Sequence, residues 1–290
     1  MNLSKDISFR LITEADIPGA DELRRLVGWN QTPSNWRAML QLEPQGCFVA
    51  LQKEQVVGTV TTISYGQALA WIGMMLVHPE CRRQGIGRRL MQRAVAYLQG
   101  VGIKCIRLDA TPAGFPLYEQ LGFVTEWTLT RWQRPAAAKP LPQENPPPTL
   151  RRLTQPDWRA VREIDRNAFG VPRLDLLNRL ARESLAALVW QPGTVPEGFG
   201  LLRPGANADY LGPLSCSSTE GFLALAKGLL AKVQNRSVFW DVPDQNEPAK
   251  NAAREFGFEP VRPLTRMRLG PNTVKSDPEA QFAIADPAVG

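Results

Sequence analysis

Histidine and cysteine are scarce in this chain. There is one histidine, His78, and there are four cysteines, Cys47, Cys81, Cys105 and Cys216, far apart and without a CxxC pair. That excludes a zinc cluster of the usual Cys/His kind, so no metal is expected, and four reduced thiols in a cytoplasmic protein are the natural reading. Long apolar runs are missing as well. Nothing approaches the ~18 consecutive apolar residues of a membrane helix. The first residues, MNLSKDISFR, lack the apolar core of a secretory signal, and no membrane association is expected.

A broad basic face is also lacking, despite a net charge of +6. Residues 1–134 hold 15 Lys/Arg against 11 Asp/Glu, and five of those cations, Arg82, Arg83, Arg88, Arg89 and Arg93, fall in one window. Elsewhere the charges nearly balance. A local excess suits a small phosphorylated ligand and argues against nucleic acid, which needs a wider footprint.

What is present is an ordinary globular composition, 43% hydrophobic and 21% charged, over 290 residues, enough for two domains. Six of the fifteen residues 135–149 (PAAAKPLPQENPPPT) are proline, which fits neither helix nor central strand and predicts a semi-extended linker. The expected organisation is a domain over 1–134, a linker over 135–149, a second domain over 150–270 and an irregular tail over 271–290, which is polar and aperiodic.

The two halves read as copies. Arg10-Leu-Ile-Thr13-Glu-Ala-Asp16 matches Arg151-Arg-Leu-Thr154-Gln-Pro-Asp157 at an offset of 141. Gly122-Phe123 matches Gly257-Phe258 and Leu129-Thr130-Arg131 matches Leu264-Thr265-Arg266, both at offset 135, with Leu108-Asp109 against Trp240-Asp241 between them. The shared order makes a duplication, not a short-period solenoid. Each copy reads as mixed α/β. In the first, strands are expected near 7–12, 46–52, 56–65, 70–77 and 105–110. A helix opening at Gly87 carries Leu90, Met91, Ala94, Val95 and Leu98 on one face. Strand, loop, helix and strand over 70–110 imply a parallel crossover with a ligand site at its carboxyl edge.

The most informative segment is Val77-His78-Pro79-Glu80-Cys81-Arg82-Arg83-Gln84-Gly85-Ile86-Gly87-Arg88. A strand ends, a glycine-containing loop follows, and a helix opens whose free amides and dipole favour an anion. It is neither a Walker A loop nor a Rossmann fingerprint, because the residues those spacings require are absent. The six residues Arg82, Arg83, Gln84, Gly85, Ile86 and Gly87 instead resemble the Q/R-x-x-G-x-G/A loop of the GNAT acyltransferase superfamily, which grips the pyrophosphate of coenzyme A, and Arg88 adds neutralising charge beside it.

That resemblance implies a site and a chemistry: an α/β tandem GNAT protein whose first domain uses acetyl-CoA to acylate a primary amine of a small molecule by direct attack. In Leu117-Tyr118-Glu119-Gln120-Leu121-Gly122-Phe123 it makes Tyr118 the acid for the departing thiolate, which at a thiol pKa near ~8.5 needs only modest help. It gives the backbone of Met75, Leu76 and Val77 to the pantetheine arm. Thr111 stands where the family usually has an asparagine. No acid lies between Trp71 and Val77 to serve as base. Asp109 is expected either to relay a proton through water or to be a turn or cap partner at its strand end, and bulk water is the alternative base. His78 is expected to face solvent or cap its loop. The second copy resembles the degenerate C-terminal domain of bacterial tandem GNAT proteins. It lacks the loop, and Ala253 replaces the tyrosine. Trp29 and Tyr65 are expected as acceptor-pocket walls, with Trp36 and Trp71 as further aromatics. Asp241 and Arg266 are expected to bind the acceptor's ammonium and carboxylate, or else each other. Protein or peptide acetylation and non-catalytic acyl-CoA sensing are the alternatives, and a monomer and a homodimer are both compatible.

Overall fold

The computed structural model describes residues 7–138 and 146–290. The middle of the proline-rich stretch, 139–145, lies outside the described residues, as do 1–6. The first half contains β1 (Ile7–Leu11), α1 (Ile17–Leu26), α2 (Pro33–Leu42), β2 (Phe48–Gln52), β3 (Gln55–Tyr65), β4 (Leu69–Val77), α3 (Ile86–Gly100), β5 (Cys105–Ala110), α4 (Phe115–Gln120) and β6 (Val124–Arg134). The second repeats that order with β7 (Leu150–Arg152), α5 (Trp158–Phe169), α6 (Leu174–Arg182), β8 (Ala186–Trp190), β9 (Gly198–Arg203), β10 (Asp209–Cys216), α7 (Thr219–Leu230), β11 (Val238–Pro243), α8 (Glu247–Glu255) and β12 (Glu259–Leu269). A last strand, β13 (Gln281–Ala283), follows.

The duplicated segments play the same part in each half. The Asp16 carboxylate accepts from the Thr13 amide at 2.8 Å and from Arg10 at 2.6 and 2.8 Å. Asp157 does the same with the Thr154 amide at 2.7 Å and Arg151 at 2.6 and 2.8 Å. The Arg151 guanidinium holds the Asp157 carboxyl down to about 2. Its folded value thus lies below the ~3.9 of an unfolded aspartate, so the stabilisation is complete above that value and is lost as pH falls through the folded one. Acid unfolding of Asp157→Asn should accordingly show a shallower loss of Tm between pH 4 and 2 than the parent. Parallel slopes would remove this pair from the acid response.

The strands form one sheet in the order β1-β2-β3-β4-β5-β12-β6-β11-β10-β9-β8-β7, with β13 on β10. The second half's β12 inserts beside β5 of the first, and the first half's β6 inserts beside β11 of the second. β6 and β12 also pair with each other, with the equivalent residues Leu129 and Leu264 directly opposite. A pseudo-twofold axis therefore passes between them. Each half completes its sheet with the other's last strand, so the expected boundary at 134 divides the sequence but not the sheet.

The exchange brings charge into the core. Arg266 on β12 donates to both oxygens of Asp109 on β5, at 2.8 and 2.9 Å. By symmetry Arg131 on β6 donates to both oxygens of Asp241 on β11, at 2.8 and 2.6 Å. Asp109 and Arg266 side chains are fully buried, and Arg266 lies between the rings of Trp71 and Trp127. A planar guanidinium between flat aromatic faces, with its Nε/Nη2 edge on a carboxylate and Nη1 left without a hydrogen bond, is an arrangement in which a buried arginine is tolerable.

In both halves a parallel pair opens into a fork. β4 and β5 pair only from Leu69/Cys105 to Trp71/Arg107, although β4 runs on to Val77. β10 and β11 pair only from Asp209/Val238 to Leu211/Trp240. A bulge in β4 helps to open the first fork: Met74 and Met75 together oppose Val60 of β3, and Met74 adopts a left-handed backbone with φ +47°. In the second fork β13 pairs with β10 at Leu214 and Ser215.

Of the segment expected as an irregular tail, residues 271–280 are irregular and mostly exposed, whereas 281–290 are mostly buried and include β13. Ile284 packs on Trp127, Leu129 and Leu264 over the pseudo-twofold axis. Further on, the Pro287 carbonyl accepts from Trp71 Nε1 at 3.0 Å and that of Val289 from the Tyr65 hydroxyl at 2.6 Å. The tail crosses β10 at Gly212 and β4 at Gly73, where an added Cβ would overlap the Ile284 and Ala288 carbonyls respectively. Glycine is required there by close approach, at equivalent places in the two halves.

Candidate acyl-CoA and acceptor site

The site begins where β4 ends. His78 Nδ1 accepts from the Glu80 amide at 3.3 Å and caps a short 3-10 turn, Pro79–Cys81. The chain then turns through Arg83 and Gly85, both at positive φ, into α3. α3 buries Ile86, Leu90, Met91, Ala94 and Leu98 against the sheet, which fixes the direction of its axis. Among the described residues, the amides of Arg83, Gln84, Gly85, Ile86, Gly87 and Arg88 donate no hydrogen bond. Six successive unsatisfied amides at a helix N-terminus form an anion cradle. Arg82 is held by the Val77 carbonyl and Arg88 by Gln120, whereas Arg89 and Arg93 stack on Phe9. Of the five clustered arginines, the last two therefore belong to packing.

Gly87 faces the fork. A Cβ there would stand 3.0 Å from Met75 Cε, 3.4 Å from Leu117 Cδ2 and 3.6 Å from Val77 Cγ2, between β4 and α4. The backbone of Met75, Leu76 and Val77 borders the same opening, where an extended arm could lie. At its inner end is a narrow cavity of about 30 Å³. Trp29, Gly73, Met75, Asp109, Thr111 and Tyr118 of the first half line it, with Arg131, Arg262 and Leu264 of the exchanged strands and Pro287 and Ala288 of the tail. Tyr118 is buried, packs on Phe123, and burial pushes its hydroxyl well above the ordinary tyrosine range. Thr111 Oγ1 accepts from the Gly114 amide at 3.3 Å. A larger groove, on the second half around Leu150, Trp158 and Leu188, has neither the loop nor the tyrosine beside it.

The sequence-predicted acceptor residues fare unevenly. Trp29 and Asp109 reach the cavity. Tyr65 does not: its hydroxyl is taken by Val289 in the core. Asp241 and Arg266 do not pair with each other: the strand exchange gives each a bidentate partner from the other half, and Arg266 Nη1 alone of that pair of side chains keeps no hydrogen bond. Asp109 is likewise occupied. Burial raises its carboxyl pKa against the opposing pull of Arg266, and a bidentate guanidinium leaves it poorly placed to relay a proton. Pro287, Ala288, Gln31 and Arg262 also line the cavity, and no local sequence pattern marked them.

The second half has the same frame with its functional parts closed. The N-terminus of α7 is capped by Ser218 Oγ, which accepts from the Gly221 amide at 3.1 Å. Ala253 is fully buried where the first half has Tyr118. Asn246 caps α8, and its amide donates to the Glu279 and Gln281 carbonyls at 2.7 and 3.1 Å. Asn246 thereby fastens β13 into the fork.

Known proteins share this frame. Residues 19–123 match the profile of the acetyltransferase (GNAT) family and residues 161–283 that of an acetyltransferase (GNAT) domain. The uncharacterized N-acetyltransferase YitH of Bacillus subtilis is 28% identical over 81% of this chain and 83% of its own. The holothin acyltransferase of a Pseudoalteromonas species is 24% identical over 83% and 81%. Among solved structures, a Pyrococcus horikoshii protein classed as an acetyltransferase superposes with a TM-score of 0.82 at 26% identity, covering 99% of this chain and 96% of that one. A tandem GNAT protein from the clavulanic acid biosynthesis pathway does so with 0.66 at 16%, covering 91% and 98%. The chain belongs to the GNAT superfamily, as a tandem of two GNAT domains.

Proposed function

We propose that the first half binds acetyl-CoA and transfers its acetyl group to a primary amine of a small molecule, and that the second half has no productive coenzyme site. The observation that carries this is the alignment of three features along one opening: the six free amides of Arg83–Arg88, the fork between β4 and β5, and the Tyr118 hydroxyl at its inner end. In this reading the amides take the pyrophosphate, and the β4 backbone takes the pantetheine arm. A backbone amide at the thioester oxygen is worth about 3–4 kcal/mol of barrier. The amine nitrogen attacks the thioester carbonyl, its surplus proton leaves to water, and the C–S bond breaks as the C–N bond becomes an amide.

Tyr118 meets the departing sulfur. Its raised pKa keeps the hydroxyl protonated at working pH, while proton transfer to a thiolate of pKa near ~8.5 is uphill. Its contribution is thus chiefly a hydrogen bond to the developing charge, an interaction of about 1.5–3 kcal/mol. Tyr118→Phe should lower kcat about 10- to 10²-fold with little change in acetyl-CoA affinity. An unchanged kcat where chemistry limits the rate would make the tyrosine structural.

The tail supports a small acceptor. Pro287 and Ala288 wall the acceptor side, and the remaining cavity is too narrow for a folded protein surface. A relative is named as a holothin acyltransferase, an acyl-transfer activity in keeping with this reading. The primary test is calorimetry with acetyl-CoA, followed by free-thiol release with a panel of small amines. Absence of acetyl-CoA binding would overturn the assignment.

A further inference from the structure

Three arginines face the centre of the molecule from the exchanged strands, and they are not equivalent. Arg131 and Arg266 are neutralised by bidentate carboxylates. Arg262, on β12 and opposite Arg131 in register, makes no hydrogen bond or ion pair among the described residues, and its Nε is buried. Nearby Arg203 donates to the Gly212 and Ala285 carbonyls and has Asp286 as its strongest charge partner. Asp286 Oδ1 is itself engaged by Gln31 Nε2 and the Ala288 amide, both at 2.8 Å. One guanidinium, that of Arg262, is left over, and it lines the cavity that holds Tyr118.

The duplication sharpens the point. At the offset that equates Arg131 with Arg266, the counterpart of Arg262 is Trp127, which stacks 4.1 Å from the Arg266 guanidinium. The repeat therefore calls for an apolar packing partner here, and the chain has a cation instead. Burial and the neighbouring Arg131 both lower its pKa, against the opposing pull of Asp241 and Asp286. A half-buried guanidinium with a covered Nε and no partner carries a cost, and its planar fork matches a carboxylate. A single surplus charge suits a monoanion better than a phosphate.

We propose that the acceptor carries a carboxylate as well as its amine, and that Arg262, lent to the site by the second half, binds that carboxylate. The proposal rests on the acyltransferase reading above. It makes the second half a specificity element for a reaction performed in the first.

The test compares wild type, Arg262→Met and Arg262→Lys with matched amines: glycine, β-alanine, glutamate and lysine against their amides and decarboxylated counterparts. Free-thiol release should favour the carboxylated member at least 10-fold in wild type. Arg262→Met should erase that preference through the acceptor KM, and Arg262→Lys should restore part of it, with acetyl-CoA affinity constant throughout. Removing a cation that has no partner should also leave Tm unchanged or raised, whereas a structural arginine would lower it. Equal use of acids and amides by wild type, or a preference that survives Arg262→Met, overturns the proposal. If no member of the panel turns over, the coenzyme A complex is titrated with the same carboxylated amines by calorimetry. Binding that Arg262→Met abolishes supports the assignment, and absence of binding by all of them overturns it. The underlying acyltransferase reading fails separately, on missing acetyl-CoA binding by the wild type.

Discussion

Gly87→Glu should abolish acetyl-CoA binding, by at least 10²-fold in calorimetry, in a protein that still folds. The new side chain would start 3.0 Å from Met75 Cε and project between β4 and α4, the route assigned to the pantetheine arm. Its carboxylate would also stand at the mouth of an amide cradle that favours a ligand anion, competing for the same donors and repelling the pyrophosphate. The fold should survive because the nearest atom is the tip of a flexible methionine, not backbone. Gly87→Ala separates the two effects, since it adds the methyl contact without charge or reach, and should cost far less affinity. Unchanged affinity in Gly87→Glu would move the coenzyme away from α3.

Arg266→Met should lower stability by about 3–5 kcal/mol, because it leaves the fully buried Asp109 without a counter-charge. In a chain of this size that is a fall in Tm of roughly 10 °C. Arg131→Met should cost a similar amount by stranding Asp241, since the two pairs are related by the pseudo-twofold axis. The double replacement Asp109→Leu with Arg266→Met should recover much of the loss, as replacing both members of a buried pair by apolar groups often does. If Arg266→Met instead kept its Tm and raised only the acceptor KM, Arg266 would belong to the acceptor site and not to the exchanged core.

The sequence disclosed the parts whose chemistry is local. The loop at Arg82–Arg88 was legible because two glycines, a preceding strand and a following amphipathic helix are short-range signals. The duplication was legible from Arg-x-x-Thr-x-x-Asp, and its two copies make the same hydrogen bonds. What escaped was long-range. Asp241 and Arg266 were correctly singled out as charges in apolar strands, but their partners, Arg131 and Asp109, lie in the other half, and no pattern within one copy reveals an exchange. The tail misled for a related reason. Residues 271–280 are polar, and the apolar run Phe282-Ala-Ile-Ala285 is too short to register until the gap it fills is known. Arg262 carried no signal except its mismatch with Trp127, which has meaning only once the register of β12 on β6 is seen.

The exchange of β6 and β12 also bears on how the molecule is made. β5 pairs with a strand 157 residues downstream of Asp109, so most of the chain must be synthesised before the first half has its full sheet. On a ribosome, residues 1–134 would emerge with β6 lacking its neighbours β11 and β12 and with β5 exposing a bare edge, a state open to misassociation. Sequence separations of this order predict slow closure. They also explain why a copy that lost its phosphate cradle was not discarded. A nonsense mutation at the linker would remove β12 from the first sheet together with both tail residues that wall the acceptor side. Once the strands had crossed, the second half could diverge in sequence but could not disappear without opening the first sheet.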